Sequence, residues 1–256
     1  MKLKPPSPSE LGDRIRDTEV WKSIFRPGSI FRRGYKDTSR DRALATMNNV
    51  LYHLHPVKIK RHGLKLTYTF CLGGLSFFLF ILLTVTGIFL MFFYRPMASV
   101  GTAQAYTDME HIRTGVLFGD LVRNIHRWGA HLMVLTVTLH MARVFYTGAY
   151  KPPREFNWVV GVILLFLTLG LSFTGYLLPW DQLAIWAVTV GTNLAGYSPF
   201  IATQANFILL GGPVVGPDTL LRWYVFHVLF LPFILVIFLS VHFWRIRKDG
   251  GISGPL

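Results

Sequence analysis

The chain has 256 residues, of which 52% are hydrophobic, 15% aromatic and only 15% charged, and its formal net charge is +13. A soluble domain carries about 25% charged residues, and this much apolar side chain excludes an intrinsically disordered chain. A single cysteine, Cys71, excludes a disulfide-stapled secreted module. What remains is an integral membrane protein with a basic water-facing part.

Residues 1–63 form a basic N-terminal arm. Residues 1–42 are rich in Pro, Arg and Asp, with Trp21, Phe25, Phe31 and Tyr35 scattered among them. This composition predicts a partly amphipathic or disordered arm on the membrane surface or on partner subunits. Residues 43–56 (ALATMNNVLYHLHP) predict a short amphipathic helix stopped by Pro56. No early apolar stretch marks a signal peptide, so the first span is expected to direct insertion itself.

Residues 64–256 hold four long, nearly charge-free segments at 68–94, 124–146, 156–178 and 223–244, here spans A to D. About 20 residues of helix cross a bilayer. The fold class this predicts is all-α, a four-transmembrane-helix bundle. Tyr94 and Arg95-Pro96 close span A, where an interfacial ring and a snorkelling arginine are expected. The C–D loop, about 179–222, is long, and its apolar runs at 182–210 predict one or two amphipathic helices along the interface.

Charge fixes an orientation. Residues 1–67, the B–C loop from Arg143 to Glu155 and the tail from Arg245 hold 21 of the 26 Lys and Arg and 8 of the 13 Asp and Glu. The other two connections are neutral. Such a bias places the basic side, with both termini, in the cytoplasm, the negative or n side. The A–B and C–D loops then face the p side. The excess charge reads as topology and contact with anionic lipid rather than nucleic-acid binding.

Ionisable side chains inside a span are functional candidates. Span B carries His126, His131 and His140; span D carries His227 and His242. The intervals His126–His140 and His227–His242 correspond to about 3.9 and 4.2 helical turns, rising about 21 and 22 Å. Spans B and D run in the same direction, so His126 matches His227 in depth and His140 matches His242. One such histidine alone would read as a hydrogen-bonded helix contact. Four at matched depths predict two bis-histidine haem sites inside a four-helix bundle. His131 fits neither layer and reads as a packing residue; His53, His55, His62 and His111 read as solvated.

Gly73 and Gly87 in span A, and Gly161 and Gly175 in span C, repeat the 14-residue interval. Missing side chains there would let flat macrocycles approach the backbone, although small-residue helix packing gives the same pattern. Arg123 and Arg127 near His126, and Arg143, Arg245 and Arg247 near the n-side layer, are candidates to pair with haem propionates; lipid headgroup contact is the other reading.

The segments NIHRWGAHLMVLTVTLHMARVF (124–145), KPPREFNWVVGV (151–162), FTGYLLPWDQ (173–182) and RIRKDGGISGPL (245–256) resemble the short cytochrome b of Rieske/cytochrome b complexes, of the cytochrome b6 type. The resemblance covers about residues 64–256. It implies that His126 and His227 ligate a low-potential p-side haem b, and His140 and His242 a high-potential n-side haem b. FCLGG (70–74) resembles the motif whose cysteine bonds a third haem, called cn or ci, which gives that role to Cys71. By residue type alone a lone cysteine at a span end would be a small buried hydrophobe.

The resemblance also implies partners: a Rieske iron–sulfur protein, a separate subunit carrying the remaining helices with a Pro-Glu-Trp-Tyr element, and a c-type cytochrome, in a dimeric complex. This chain would bring one wall of the p-side quinol site, around Tyr176, Trp186, Ala187, Val188 and Thr192. An n-side quinone pocket would lie near Cys71, Arg247 and Lys248. The implied activity is quinol:cytochrome c (or plastocyanin-type) oxidoreduction. Electrons would cross from the p-side quinol through two b haems to the n-side quinone, coupled to proton translocation. A dihaem membrane anchor of another quinone-linked oxidoreductase is the alternative, and a haem-free scaffold with histidine proton relays is a more distant one.

Overall fold

In a computed structural model of the chain, the described residues are 7–25, 38–42, 61–98, 103–197, 202–212 and 214–252. No strand occurs among them. They fall into two compact units, one of N-terminal residues with Ile246–Ile252, the other of Arg61–Arg245.

The N-terminal residues are helical where described. α1 (Pro8–Asp17) begins at a capping box: the Glu10 N–H donates to Ser7 Oγ at 3.3 Å, and the Ser7 N–H donates to Glu10 Oε2 at 2.7 Å. Thr18 ends α1 and caps α2 (Glu19–Ile24) by accepting from the Trp21 N–H at 3.2 Å. Leu11, Ile15 and Val20 remain exposed. The amphipathic stretch expected at 43–56 lies outside the described residues.

The second unit carries the long helices. A one-turn helix, α3 (Leu66–Thr69), is separated from α4 (Leu72–Met91) by Phe70 and Cys71, which take left-handed φ values of 49° and 51°. Two such residues in succession break the helix, so Cys71 stands exposed at the head of α4. At 20 residues α4 is about 30 Å long, the thickness of a bilayer's hydrocarbon.

Beyond α4 the chain is held by tertiary contacts. The Tyr94 ring is buried, and its hydroxyl donates to the Leu178 carbonyl at 2.6 Å. Arg95, its side chain largely exposed, is paired: Nη2 donates to Asp108 Oδ1 at 2.7 Å and Nε to Oδ2 at 3.0 Å. The cause is α5 (Gln104–Thr114), a helix that the sequence pattern does not predict, which brings a buried carboxylate under the end of α4. α5 then turns tightly into α6. A Cβ on Gly119 would run into the Ile112 carbonyl oxygen, so the turn requires glycine there.

α6 (Gly119–Tyr146), α7 (Glu155–Leu177) and α10 (Pro217–Lys248) are the remaining long helices, with α8 (Gln182–Gly196) and α9 (Ala202–Leu210) between α7 and α10. The two short helices lie within the 182–210 stretch. Asp181 starts α8 by accepting from the Ala184 N–H at 2.8 Å.

By length and composition α4, α7 and α10 can cross a membrane. α6, with 28 residues, is long enough but is not among these three. Its three histidines and Arg123, Arg127 and Arg143 offset its apolar residues.

α4 packs along α6, and α7 packs on both α6 and the first half of α10, while α6 and α10 do not pack closely on each other. One core cluster, including Tyr94, Ile112, Leu177, Val188, Leu220 and Trp223, ties the end of α4 to α5, α7, α8 and α10. A second, Leu79 with Met133 and Val137, seals α4 to α6 at mid-height. Most other large apolar side chains of the long helices face outward, among them Phe78, Val85, Phe166 and Phe233.

Candidate cofactor layers between the helices

Four histidines bridge the space between α6 and α10 in two layers. The His126 and His227 ring centroids are 6.3 Å apart with planes at 74°. Those of His140 and His242 are 6.5 Å apart at 81°. A metal held by an imidazole nitrogen on each side at about 2.0–2.1 Å, with each ring centre about 1.2 Å behind its nitrogen, would set the ring centroids about 6.4 Å apart. The ring spacing in both layers therefore fits a metal shared between the two imidazoles. The first layer lies towards α5 and α8, the second towards α3.

The unequal intervals, 14 residues in α6 and 15 in α10, are reconciled by a local change of helix. Residues Phe226–Phe230 of α10 form a single π turn that contains His227. Such a turn absorbs one extra residue and is common at functional positions. In an unbroken α-helix, 15 residues would turn His242 by about 100° more than 14. With the π turn, both helices present their histidines in the same relation.

Three of the four glycines make room for the imidazoles themselves. A Cβ on Gly87 would lie 3.2 Å from His126 Cε1, one on Gly73 3.2 Å from His140 Cε1, and one on Gly175 2.6 Å from His227 Cε1. Gly161 differs: its Cβ would meet Met141 Sδ at 3.5 Å rather than a histidine. The predicted repeat thus makes room for a histidine ring at three positions and faces a methionine at the fourth.

Two threonines not singled out from the sequence complete the first layer. Thr86 Oγ1 lies 2.9 Å from His126 Nδ1, and Thr174 Oγ1 lies 3.0 Å from His227 Nδ1. Each hydroxyl already donates to a backbone carbonyl, Thr86 to Leu82 at 2.8 Å and Thr174 to Leu171 at 3.1 Å. A hydroxyl that keeps this donation accepts from the ring, an arrangement that puts the proton on Nδ1 and leaves Nε2 free to bind a metal. The signal was in the sequence: Thr86-Gly87 and Thr174-Gly175 are the same dipeptide at the same height in two helices.

The second layer is built differently. His242 Nδ1 is buried with no hydrogen-bond partner, and no hydrogen bond joins His140 Nδ1 to a described residue. Arg143 stands one turn from His140. Its Nε donates to the Tyr68 carbonyl at 3.1 Å and its guanidinium lies 4.2 Å from the Tyr68 ring centre. Its Nη2 is buried without a partner, an unused donor suited to an anionic oxygen. Arg245 Nη2 donates to the Pro153 carbonyl at 3.4 Å.

The remaining residues fall as follows. Arg123 is half-buried and Arg127 exposed, on the first turns of α6. His131 contacts Trp128 edge-on. His62 packs edge-on against Tyr68. Arg247 is half-buried and Lys248 exposed at the end of α10. On the α7–α8 stretch Tyr176 and Trp186 face outward and Ala187 is partly buried. Val188 and Thr192 point into the core, the Thr192 hydroxyl donating to the Val188 carbonyl at 2.8 Å. The outward face here is therefore narrower than the five residues named from the sequence. Among the described residues no cluster of three or more His, Cys, Asp or Glu side chains forms a multi-ligand metal site.

The sequence matches the family Cytochrome b/b6/petB over residues 58–250. It is 45% identical over 190 residues to the menaquinol:cytochrome c reductase cytochrome b subunit of Bacillus subtilis (strain 168), covering 74% of this chain and 83% of that one. It is 46% identical over 202 residues to cytochrome b6 of Heliomicrobium gestii, covering 79% and 91%. It is also 46% identical over 187 residues to cytochrome b6 of Porphyra purpurea, covering 73% and 85%. A solved chain of a hyperthermophilic respiratory Complex III is similar in structure, with a TM-score of 0.68 and 31% identity, over 86% of this chain. This chain spans about half of that one, 55% of its length.

Proposed function

The chain belongs to the cytochrome b/b6 family, and from that premise we propose that it is the cytochrome b subunit of a membrane quinol oxidoreductase, holding two b haems one above the other. The observation that carries this reading is the pair of bis-histidine layers, 6.3 and 6.5 Å between ring centroids, on helices 14 and 15 residues long between ligands. Haem held by the two histidines of each layer would supply a one-electron carrier there.

The chain's own residues would do the following. His126 and His227 bind in the first layer, on the p side, and His140 and His242 in the second, on the n side. Gly87, Gly175 and Gly73 let those rings sit close against neighbouring helices. The outward apolar faces of α4, α7 and α10 meet lipid or partner helices. Arg143 would hold a carboxylate of the n-side group through the free Nη2, and Arg123 and Arg127 are placed to serve the p-side one. Cys71, exposed at the head of α4, would anchor a third haem by a single thioether bond. Tyr176, Trp186 and Ala187 would contribute to a p-side quinol site, Arg247 and Lys248 to an n-side quinone site. The relatives named as parts of cytochrome c reductase and Complex III support assembly with a Rieske protein, a c-type cytochrome and a subunit supplying further helices. The bias of basic charge supports placing both termini on the n side.

The purified complex tests this. Pyridine haemochrome analysis should give two b haems per chain, resolved as two components in a redox titration. One b haem, or none, overturns the two-layer reading; two b haems without a Rieske partner would point to a different quinone-linked enzyme.

A further inference from the structure

The two histidine layers are alike in ring spacing and unlike in what their outer nitrogens meet. In the first, both Nδ1 atoms have hydroxyl partners, Thr86 and Thr174. In the second, His242 Nδ1 is buried without a partner, and no described group accepts from His140 Nδ1. The difference is one of structure, not of exposure, since all four rings are largely enclosed.

We propose that Thr86 and Thr174 are positioning residues that hold His126 and His227 in the Nδ1–H tautomer and lower the reduction potential of the first-layer haem relative to the second. An Nδ1–H that donates to an acceptor makes the imidazole a stronger electron donor through Nε2. A stronger donor favours the oxidised, more positive iron over the reduced one. The equilibrium concerned is one electron added to the ferric iron, with the proton remaining on Nδ1 throughout. Two hydroxyls act on one layer and none on the other, so the electron is biased to leave the first layer for the second.

The threonines also order the ligands. Each hydroxyl is locked by its own donation to a carbonyl one turn earlier, so its acceptor lone pair has a fixed direction. Each is followed by the glycine against which the facing helix's imidazole rests. Thr–Gly therefore works as a unit: the hydroxyl sets the tautomer and the missing Cβ admits the ring.

This inference rests on the two-haem reading, and the test separates the two. In the intact complex, the potentials of both b haems are titrated in Thr86→Val and Thr174→Val, which keep shape and remove the hydroxyl. Thr86→Ser and Thr174→Ser restore it, and Thr168→Val is the control, a buried α7 threonine whose hydroxyl donates to the Leu164 carbonyl and touches no histidine. Each valine variant should raise the first-layer potential, by up to about 59 mV for a tenfold change in the one-electron equilibrium, and leave the second unchanged. The serine variants should return towards the parent value, and the low-spin haem electron paramagnetic resonance signal of that layer should shift only in the valine variants. A first-layer potential that moves no more than in Thr168→Val, or two potentials that move together, overturns the proposal. If the valine variants lose the first-layer haem, retention in the serine variants supports the hydroxyl's role, and loss in both shows that restoring the hydroxyl does not rescue the layer and overturns it. An unmodified complex without two b haems removes the underlying reading instead.

Discussion

A Cβ added to Gly175 would lie 2.6 Å from Cε1 of His227. Contacts below 3.0 Å require something to move, and here the mover is a ring already held at Nδ1 by Thr174. Gly175→Ala should therefore displace His227 and remove or strongly perturb the first-layer haem, with an overpacking cost of about 1–3 kcal/mol. Gly87→Ala and Gly73→Ala, at 3.2 Å, should perturb their layers less. Gly161→Ala, facing a flexible methionine at 3.5 Å, should be tolerated. Reduced-minus-oxidised spectra of the four variants would rank them; an intact first layer in Gly175→Ala would contradict the geometry.

The four histidines were legible because depth along a helix is fixed by residue count, and a long apolar segment leaves little choice of where it lies. The threonines were less so, because a threonine in a span usually bonds its own helix, as Thr84 and Thr138 do. Only the facing ring distinguishes Thr86 and Thr174. α5 was hidden by its mixed composition: its ordering comes from Asp108 meeting Arg95 across a turn, a tertiary contact that no periodicity announces. The α1 cap, by contrast, is written locally in Ser7, Pro8 and Glu10.

Replacing one ligand of the second layer should spare the first. His140→Leu and His242→Leu remove a second-layer imidazole, while the Thr86–His126 and Thr174–His227 contacts lie about 20 Å away along the helices. Each should lose one b-haem component of the titration, the same one in both. Loss of different components, or of neither, would break the pairing of His140 with His242.

Arg95 beside Asp108 holds that carboxyl below the usual carboxylate range, with Gln104 and the Arg95 N–H adding to the effect against the cost of burial. A depressed carboxyl stabilises the folded state above its unfolded pKa, about 3.9, and the contribution fades as pH falls through the lower folded value. Asp108→Ala should thus lower the thermal midpoint at pH 7, and the gap from the parent should close as pH falls below about 4. A gap constant across that window would show that the packing of α5, rather than the ion pair, is what the variant loses.

Cys71 is exposed and held at the break between α3 and α4. A thioether there would survive denaturation, whereas histidine-ligated haem would not. Haem staining of the denatured polypeptide should therefore be present in the parent and abolished in Cys71→Ser, with both b components retained. Staining that persists in the variant would exclude Cys71 as the attachment point.

The π turn makes a prediction about chain length. Because Phe226–Phe230 absorbs one residue, deleting Leu229, an outward-facing member of that turn, should convert it to ordinary α-helix and leave His227 and His242 in register. Deleting Ile237, equally outward-facing but in regular helix, should rotate His242 by about 100° away from His140 while the π turn persists. Both deletions shorten α10 by one residue and remove one exposed aliphatic side chain, so general destabilisation should be similar. The first should keep both b components and the second should lose one. If the Leu229 deletion lost the second-layer component as readily as the Ile237 deletion, the π turn would not be what reconciles 15 residues in α10 with 14 in α6.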